Sequence, residues 1–407
     1  MSSRASSSDV SAADRPALRI ALIGTGFMGR AHSQAWRTAA PFFDLPLVPV
    51  MTTVVGRDPQ RTEDFARTWG WQNWSTRWRE VVESDDIDAV DIVAPGDVHA
   101  EIAEAALAAG KHVLCEKPLA SSLDDAARMA AAAAAHPDLV AACGFSYRRT
   151  PALAAARELI ARGRLGAIRH VRAQYLQDWL SDADAPFTWR LDRAVAGSGA
   201  LGDIGAHSID TAQWLTGASI ASVSATVRTF VPTRPDRAEV VGLGGRAADG
   251  ADRREVTVDD AAAFTAEFDD GALGVFECTR MALGRRNANR IEVNGERGSI
   301  AFDFERMNEF EFYDADDARG EQGFRRVQAT EPEHPYAAAW WPVGHGLGYE
   351  HTFTHEVVDL VRAIGGQGRI EPDFAQALQV QHVLDAVERS AADDGRRTAV
   401  RRTEGTR

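Results

Sequence analysis

Apolar positions along the chain fall into two successive patterns. Up to about Phe145, short β-branched runs alternate with helix-forming stretches. Leu18–Ile23 (LRIALI) predicts a strand, a glycine-rich turn follows it, and Ala31 towards Thr38 predicts a helix. Leu47–Val55 is a second strand and Asp58–Trp69 a second helix, in which Asp58 can cap the N-terminus and Pro59 take the first position. Ala89–Val93 and His112–Cys115 continue the strands, Ala100–Ala109 is a helix closed by Gly110, and Ser122–Ala135 is an Ala-rich helix. Strands and helices alternating over short connections predict a parallel sheet covered on both faces.

Beyond a helix at Pro151–Arg162 the pattern changes. Ile168–Tyr175, Ala221–Val231, Ala263–Phe268, Leu273–Thr279, Arg290–Val293 and Ser299–Phe304 are strands in succession, with Gly271, Gly295 and Gly298 as hairpin turns. Arg234–Arg254, rich in Gly, Arg and Asp, is expected to be a mobile loop, while Thr352–Ile364 and Phe374–Ser390 are amphipathic helices that pack back on the body. The fold class is α/β: an N-terminal doubly wound parallel sheet, then an α/β domain with a large open, mostly antiparallel sheet. Two domains suit 407 residues, since one hydrophobic core stops growing at ~250–300. The expected division is a disordered tail over 1–16, a first domain over 17–145, a second over 146–392 that includes the C-terminal helices, and a polar tail over 393–407.

Composition narrows the partners. A net charge of -14 repels nucleic-acid phosphates and anionic membranes. No apolar run approaches the ~20 residues that span a bilayer, and the Ser- and Ala-rich opening lacks the apolar core of a secretion signal. Cys115, Cys143 and Cys278 are too scattered for a disulfide framework or a thiolate metal site. A cytoplasmic protein with a small-molecule partner is expected.

GTGFMG (Gly24, Gly26, Phe27, Met28 and Gly29 with Thr25) stands between the first strand and the first helix, the context that a Rossmann dinucleotide fingerprint requires. Gly24 allows a tight turn, Gly26 lets backbone approach a pyrophosphate, and Gly29 permits close helix-to-strand packing. A bare glycine turn is the plain alternative. The second strand should end in an acid for the adenosine ribose, but Gly56 and Arg57 stand there, so NAD and NADP both remain open, with Arg57 leaning towards the 2′-phosphate of NADP.

The ends of two later strands reach the carboxyl edge of the sheet, where open α/β sheets bind ligands. One ends in Pro95, Gly96 and His99, with His99 either structuring the loop or lining the nicotinamide pocket; the other delivers Glu116, Lys117 and Pro118. Only Lys111 and Lys117 are lysine among 45 basic residues. Arginine cannot give up its proton near neutral pH, whereas a partly buried lysine can, so Lys117 is the candidate acid/base. In GSGALGDIGAHSID (Gly197–Asp210), Asp203 and His207 are four apart and share a face if helical, the carboxylate orienting a histidine that meets a substrate oxygen. An N-cap Asp and a core His are the bland reading. His351 and His355 are also four apart, but Thr352 stands where a zincin has Glu, and no third ligand is evident, so no metal is expected.

Together, GTGFMG, AGKHVLCEKPLA, GFSYRRTPA and GSGALGDIGAHSID resemble, in order and spacing, the Gfo/Idh/MocA family of sugar and cyclitol dehydrogenases, over Leu18 to about Ala392. Gly96 and Ser146 depart from the Asn usual in the family. YLQDW, Trp189-Arg190 and WWPVGHGLGY look closest to its levoglucosan-dehydrogenase-like members. The resemblance implies NAD(P)-dependent oxidation of a ring hydroxyl of a pyranose, anhydro-sugar or glycoside to a ketone. It implies Lys117, Asp203 and His207 as catalytic residues, the glycine turn with Gly56, Arg57, Pro95, His99, Glu116 and Lys117 at the cofactor, and Tyr147, Arg148, Gln177, Trp189 and Arg190 beside the catalytic trio at the substrate. A homo-oligomer, dimer or tetramer, through the C-terminal sheet is expected. An inositol or cyclitol dehydrogenase, and a cofactor-binding regulator or carrier without turnover, are the alternatives.

Overall fold

The computed structural model describes residues 15–402 except 237, 242–243 and 248–251. Residues 1–14 of the expected tail over 1–16, residues 403–407 of that over 393–407, and part of the Arg234–Arg254 segment lie outside the described residues.

The first domain runs β1 (Ala17–Ile23), α1 (Phe27–Phe42), β2 (Val48–Val55), α2 (Pro59–Trp69), β3 (Asn73–Ser75), α3 (Trp78–Val82), β4 (Ala89–Ile92), α4 (His99–Ala108), β5 (His112–Glu116), α5 (Leu123–Ala135) and β6 (Ala141–Gly144). Its six strands are all parallel, in the order β3-β2-β1-β4-β5-β6. The chain reverses direction across the sheet between β1 and β4, which opens a crevice at their carboxyl ends. Local chemistry sets the helix starts. Asp58 accepts from the Arg61 amide at 2.8 Å with Pro59 inside the first turn, and Ser122 accepts from the Asp125 amide at 3.1 Å.

The second domain continues with α6 (Pro151–Ala161), β7 (Ile168–Leu176), α7 (Arg193–Ala196), α8 (Ala206–Thr216), β8 (Ile220–Arg228), β9 (Thr233–Pro235), β10 (Ala238–Val241), β11 (Gly244–Ala247), β12 (Arg253–Glu255), β13 (Ala261–Phe268), β14 (Leu273–Thr279), β15 (Ala288–Gly295), β16 (Gly298–Asp303), β17 (Glu309–Asp314), β18 (Arg325–Gln328), α9 (Tyr349–Ile364), α10 (Phe374–Ala392) and β19 (Thr398–Ala399). Nine strands form one sheet, β18-β17-β16-β15-β7-β14-β13-β8-β19, antiparallel except where β7 runs parallel to β14. Burial alternates strictly along β13 and β14, so one face packs on helices and the other is open, with Leu273 and Val275 exposed on it.

Three features depart from the sequence reading. Helix α9, grouped above with the second domain, packs Phe353, Val357, Val358 and Val361 into the same cluster as Leu18, Ile20, Trp36 and Phe65 of the first. Within the expected polar tail, β19 pairs with β8, and Arg397 bridges to Glu267. The segment read as a mobile loop carries β9 to β12 in two antiparallel pairs, and its Arg234 is buried, donating to the carbonyls of Leu180 and Asp182. Composition misled in these places because the contacts that order them, α9 on the first domain, β19 on β8 and Arg234 on the carbonyls of Leu180 and Asp182, join residues far apart in sequence. The rest of the core is a large cluster running from α4 and α5 through α8 and α10 to the inner face of the large sheet, and a small one of Leu180, Phe187, Leu191, Val256 and Val258.

Candidate active site

The glycine turn has the shape of an anion cradle. Gly24 sits at φ +124, and a side chain there would start 2.8 Å from the Val93 carbonyl oxygen. At Gly29 it would start 2.5 Å from the Gly24 carbonyl oxygen, so this glycine lets α1 close on the turn. A Cβ at Gly26, by contrast, would meet nothing within 4 Å. That open space faces the start of α1, whose N-cap is Gly26 and whose first turn carries neither a side-chain cap nor an acid. Free amides and a positive helix end are what a pyrophosphate requires, so the residues fit a dinucleotide. Phe27 is exposed and stacked on Tyr349, while Met28 packs into the core behind it. At the end of β2 an acidic side chain has no room, because a Cβ at Gly56 would lie 2.2 Å from Thr62 Oγ1; Arg57 beside it is exposed.

Lys117 leaves the end of β5 into the crevice, its peptide to Pro118 cis. Its Nζ donates to the Asp203 carbonyl oxygen at 2.7 Å and lies 3.4 Å from Asp203 Oδ1. The sequence reading placed Asp203 and His207 on one ordinary helical face. Instead Leu201–Gly205 is a π-helical turn leading into α8, a local widening common at functional sites, and the Asp203 carbonyl is bonded by Lys117. Burial raises the Asp203 carboxyl, but Lys117, Arg280 and Arg190 outweigh it and hold the group well below the usual carboxylate range. His207 goes the other way. Burial, then the Lys117 charge, keep its imidazole neutral, and it is stacked on Tyr147 at 4.4 Å with Nδ1 unpartnered.

The wall beside His207 is a hydrogen-bonded series. Tyr147 and Tyr175 hydroxyls are 2.8 Å apart, Tyr175 donates to Asn287 Oδ1 at 2.7 Å, Gln177 donates to the same oxygen at 2.9 Å, and Trp179 donates to Gln177 Oε1 at 2.9 Å. Burial pushes the Tyr147 phenol up to about 12, so it remains a hydrogen-bonding hydroxyl. Trp189 is exposed with the Arg190 guanidinium 4.4 Å from its ring, and Arg190 is close enough to Asp203 to lower its pKa.

Some expected site residues are engaged elsewhere. Arg148 forks onto Asp210 at 2.8 and 2.5 Å and lies over Trp214, a buried tie to α8 rather than a pocket wall. His99 is buried between the Ala94 carbonyl oxygen at 2.9 Å and that of Leu119 at 3.2 Å, where it joins the loops bearing Pro95 and Pro118. Glu116 is also buried, one oxygen 3.0 Å from His32 Nε2 and the other accepting from the Lys117 amide at 3.1 Å. His355 accepts from Trp340 Nε1 at 2.7 Å and has Nδ1 2.8 Å from the Arg149 carbonyl oxygen, so both nitrogens are used within the protein.

The sequence reading missed residues that build the site from behind. Asp259 accepts from the Gly199 and Leu201 amides at 2.6 and 2.8 Å and so fixes the turn that carries Asp203. Gly199 has to be glycine, since a Cβ would fall 1.8 Å from the Asp259 carbonyl oxygen. Arg280, fully buried, meets Asp203 Oδ2 at 3.4 Å and donates to the Asp259 carbonyl at 3.2 Å. His32, Asp91 and Asn287 belong to the same group. The only local signal was a charged or amide residue inside an otherwise apolar run, as at Asp91 in β4.

Comparison with known proteins agrees with this geometry. Residues 18–143 match the oxidoreductase family with an NAD-binding Rossmann fold, and residues 153–301 match the GFO/IDH/MocA C-terminal domain. The chain is 40% identical over 384 residues, 93% of its length and 97% of the relative's, to levoglucosan dehydrogenase of Pseudarthrobacter phenanthrenivorans. An oxidoreductase domain protein from Kribbella flavida superposes with a TM-score of 0.90 at 55% identity, covering 95% of this chain and 100% of the other. A levoglucosan dehydrogenase in complex with NADH and levoglucosan does so with a TM-score of 0.88 at 39% identity, covering 94% and 99%. With the cradle, the lysine and the open sheet in place, the chain belongs to the Gfo/Idh/MocA family of NAD(P)-dependent oxidoreductases.

Proposed function

We propose that the protein is a sugar dehydrogenase that oxidises a ring hydroxyl of a pyranose, a levoglucosan-like anhydro-sugar or a glycoside to the ketone. One observation carries this reading: Lys117 Nζ, anchored on Asp203 at 2.7 Å, shares a crevice with neutral His207 at the sheet edge that holds the anion cradle. The dinucleotide, when bound, supplies the hydride acceptor. Lys117, as the neutral amine, takes the hydroxyl proton and becomes the ammonium, whose charge ionised Asp203 offsets while holding Nζ in place, and His207 hydrogen-bonds the same oxygen through a ring nitrogen. Trp189 gives an apolar face to the ring, with Arg190 and Gln177 for its other hydroxyls.

The test follows reduced-nicotinamide absorbance with levoglucosan, common pyranoses and inositols in parallel. Turnover of the anhydro-sugar or a pyranose supports the reading. Preference for inositols would move the protein to the cyclitol dehydrogenases, and dinucleotide binding without any turnover would make it a regulator. The kind of dinucleotide turns on Arg57, which favours a 2′-phosphate, whereas the levoglucosan dehydrogenase cited above holds NADH. Titrating NAD+ and NADP+ into wild type and R57A decides between them. The open sheet face, with Leu273 and Val275 exposed, is proposed to receive a second copy of the chain, which light scattering of wild type and L273E would test.

A further inference from the structure

Directly behind Lys117 lies a buried charge cluster that the proposed chemistry does not use. His32, on α1, is 1% exposed. Its Nδ1 is 3.0 Å from both Asp91 oxygens and its Nε2 3.0 Å from Glu116 Oε1. Each ring nitrogen thus faces a carboxylate, and only the imidazolium donates from both. Burial opposes that charge, but Asp91 and Glu116 outweigh it and raise the histidine well above its ordinary value. Asp91 is fixed in turn by Trp36 Nε1 at 2.7 Å. Room for Glu116 comes from Gly144 on β6, where a Cβ would press to 3.1 Å from Oε1. Glu356 of α9 faces the cluster too, paired with Arg149 at 3.2 Å, its carboxyl pushed up to about 8 by burial although Arg149 and His32 lower it.

Burying an imidazolium and two carboxylates costs several kcal/mol per ion before pairing, and apolar residues could fill the space. The cluster's geometry suggests what is gained. Its chain of contacts ends at the backbone of the reactive residue: Asp91 orients His32, His32 orients Glu116, and Glu116 Oε2 accepts from the Lys117 amide at 3.1 Å. The opposite end of Lys117 is held by Asp203. A side chain this long reaches a fixed point only if both ends are held.

We propose that His32 is a positioning residue that acts through Glu116 to set the backbone of Lys117, and hence the place of Nζ against the substrate hydroxyl. The role rests on Lys117 as the proton-transferring group. The experiment compares H32Q, E116Q, the double variant and K117A, measuring kcat with the best sugar of the panel, dinucleotide Kd, and thermal unfolding. H32Q and E116Q are each expected to lower kcat roughly ten- to a hundredfold, the loss that a misplacement of about 1 Å brings, with dinucleotide Kd nearly unchanged. The double variant should lose no more than the worse single variant, because both act through one contact. A purely stabilising role would move the unfolding temperature without this non-additivity. Multiplying losses in the double variant, or full kcat in H32Q while K117A is inactive, would overturn the proposal. Full kcat in K117A would sink the lysine assignment and this role together. Should H32Q not fold, nitrogen-15 histidine spectra of the wild-type holoprotein decide: a doubly protonated ring in the Asp91–Glu116 environment at pH 7 supports the role, and the absence of any doubly protonated ring refutes it.

Discussion

The glycine turn and the lysine pocket sit at one edge of one sheet, yet they are built in opposite ways. The turn is six consecutive residues, and its shape follows from steric limits at Gly24 and Gly29. The pocket gathers Lys117 from β5, Tyr147 from the turn after β6, Gln177 after β7, Asp203 and His207 around a π-turn, and Arg280 and Asn287 beyond β14. Binding of a cofactor common to many enzymes is a local property of the chain here. Chemistry on one substrate is a property of the assembled domains.

K117A should break that contrast most severely. Sugar turnover is expected to fall by about 10²–10⁴, the worth of a positioned acid/base, while dinucleotide Kd from fluorescence titration changes little. Equal losses in both would mean that turn and pocket are not separable. Two arginines divide the pocket further. R148A leaves Asp210 buried without its partner and should cost about 3–5 kcal/mol in denaturant unfolding, with sugar KM unchanged. R190A should raise KM severalfold and leave stability alone. The opposite pattern would exchange their roles.

Within the turn, G29A should cost about 1–3 kcal/mol by overpacking against Gly24. G26A should fold as stably as wild type and weaken dinucleotide binding about tenfold, roughly 1.4 kcal/mol. A G26A variant with normal affinity would place the pyrophosphate elsewhere.

One further effect concerns pH. His355, with an ordinary value of 6.5, is brought by burial down to about 3 in the fold. A depressed folded-state value gives stability that is present above pH 6.5 and lost as pH falls, by up to about 1.4 kcal/mol per unit. His32 has the opposite sign: its raised value gives stability that is full at low pH and lost only as pH rises through that value. Unfolding temperatures of H355Q should therefore decline less than wild type between pH 7 and 5. Parallel curves would rule out His355 as a source of acid lability.

Legibility followed the range of the interactions. Asp58 was readable as a cap because it bonds an amide three residues away. The strand alternation of β13 and β14 was readable because solvent lies on one face only. Arg148 was misplaced because sequence spacing cannot say which way a side chain turns, and only packing brings Asp210 beneath it. Arg280 and Asp259 were invisible because a buried guanidinium under a site looks like any other arginine until Asp203 is placed beside it.

What the sequence by itself determined is the succession of elements, the glycine turn, a rare lysine at a strand end and the four-residue spacing of Asp203 and His207. Each depends on steric limits, periodicity or short spacing. What only the tertiary structure decided is how that lysine is held: by the Asp203 carbonyl on one side and the His32–Glu116 contact on the other. Those contacts join residues far apart in the chain, and their energies depend on burial, which exists only once the helices and the two sheets have closed over them.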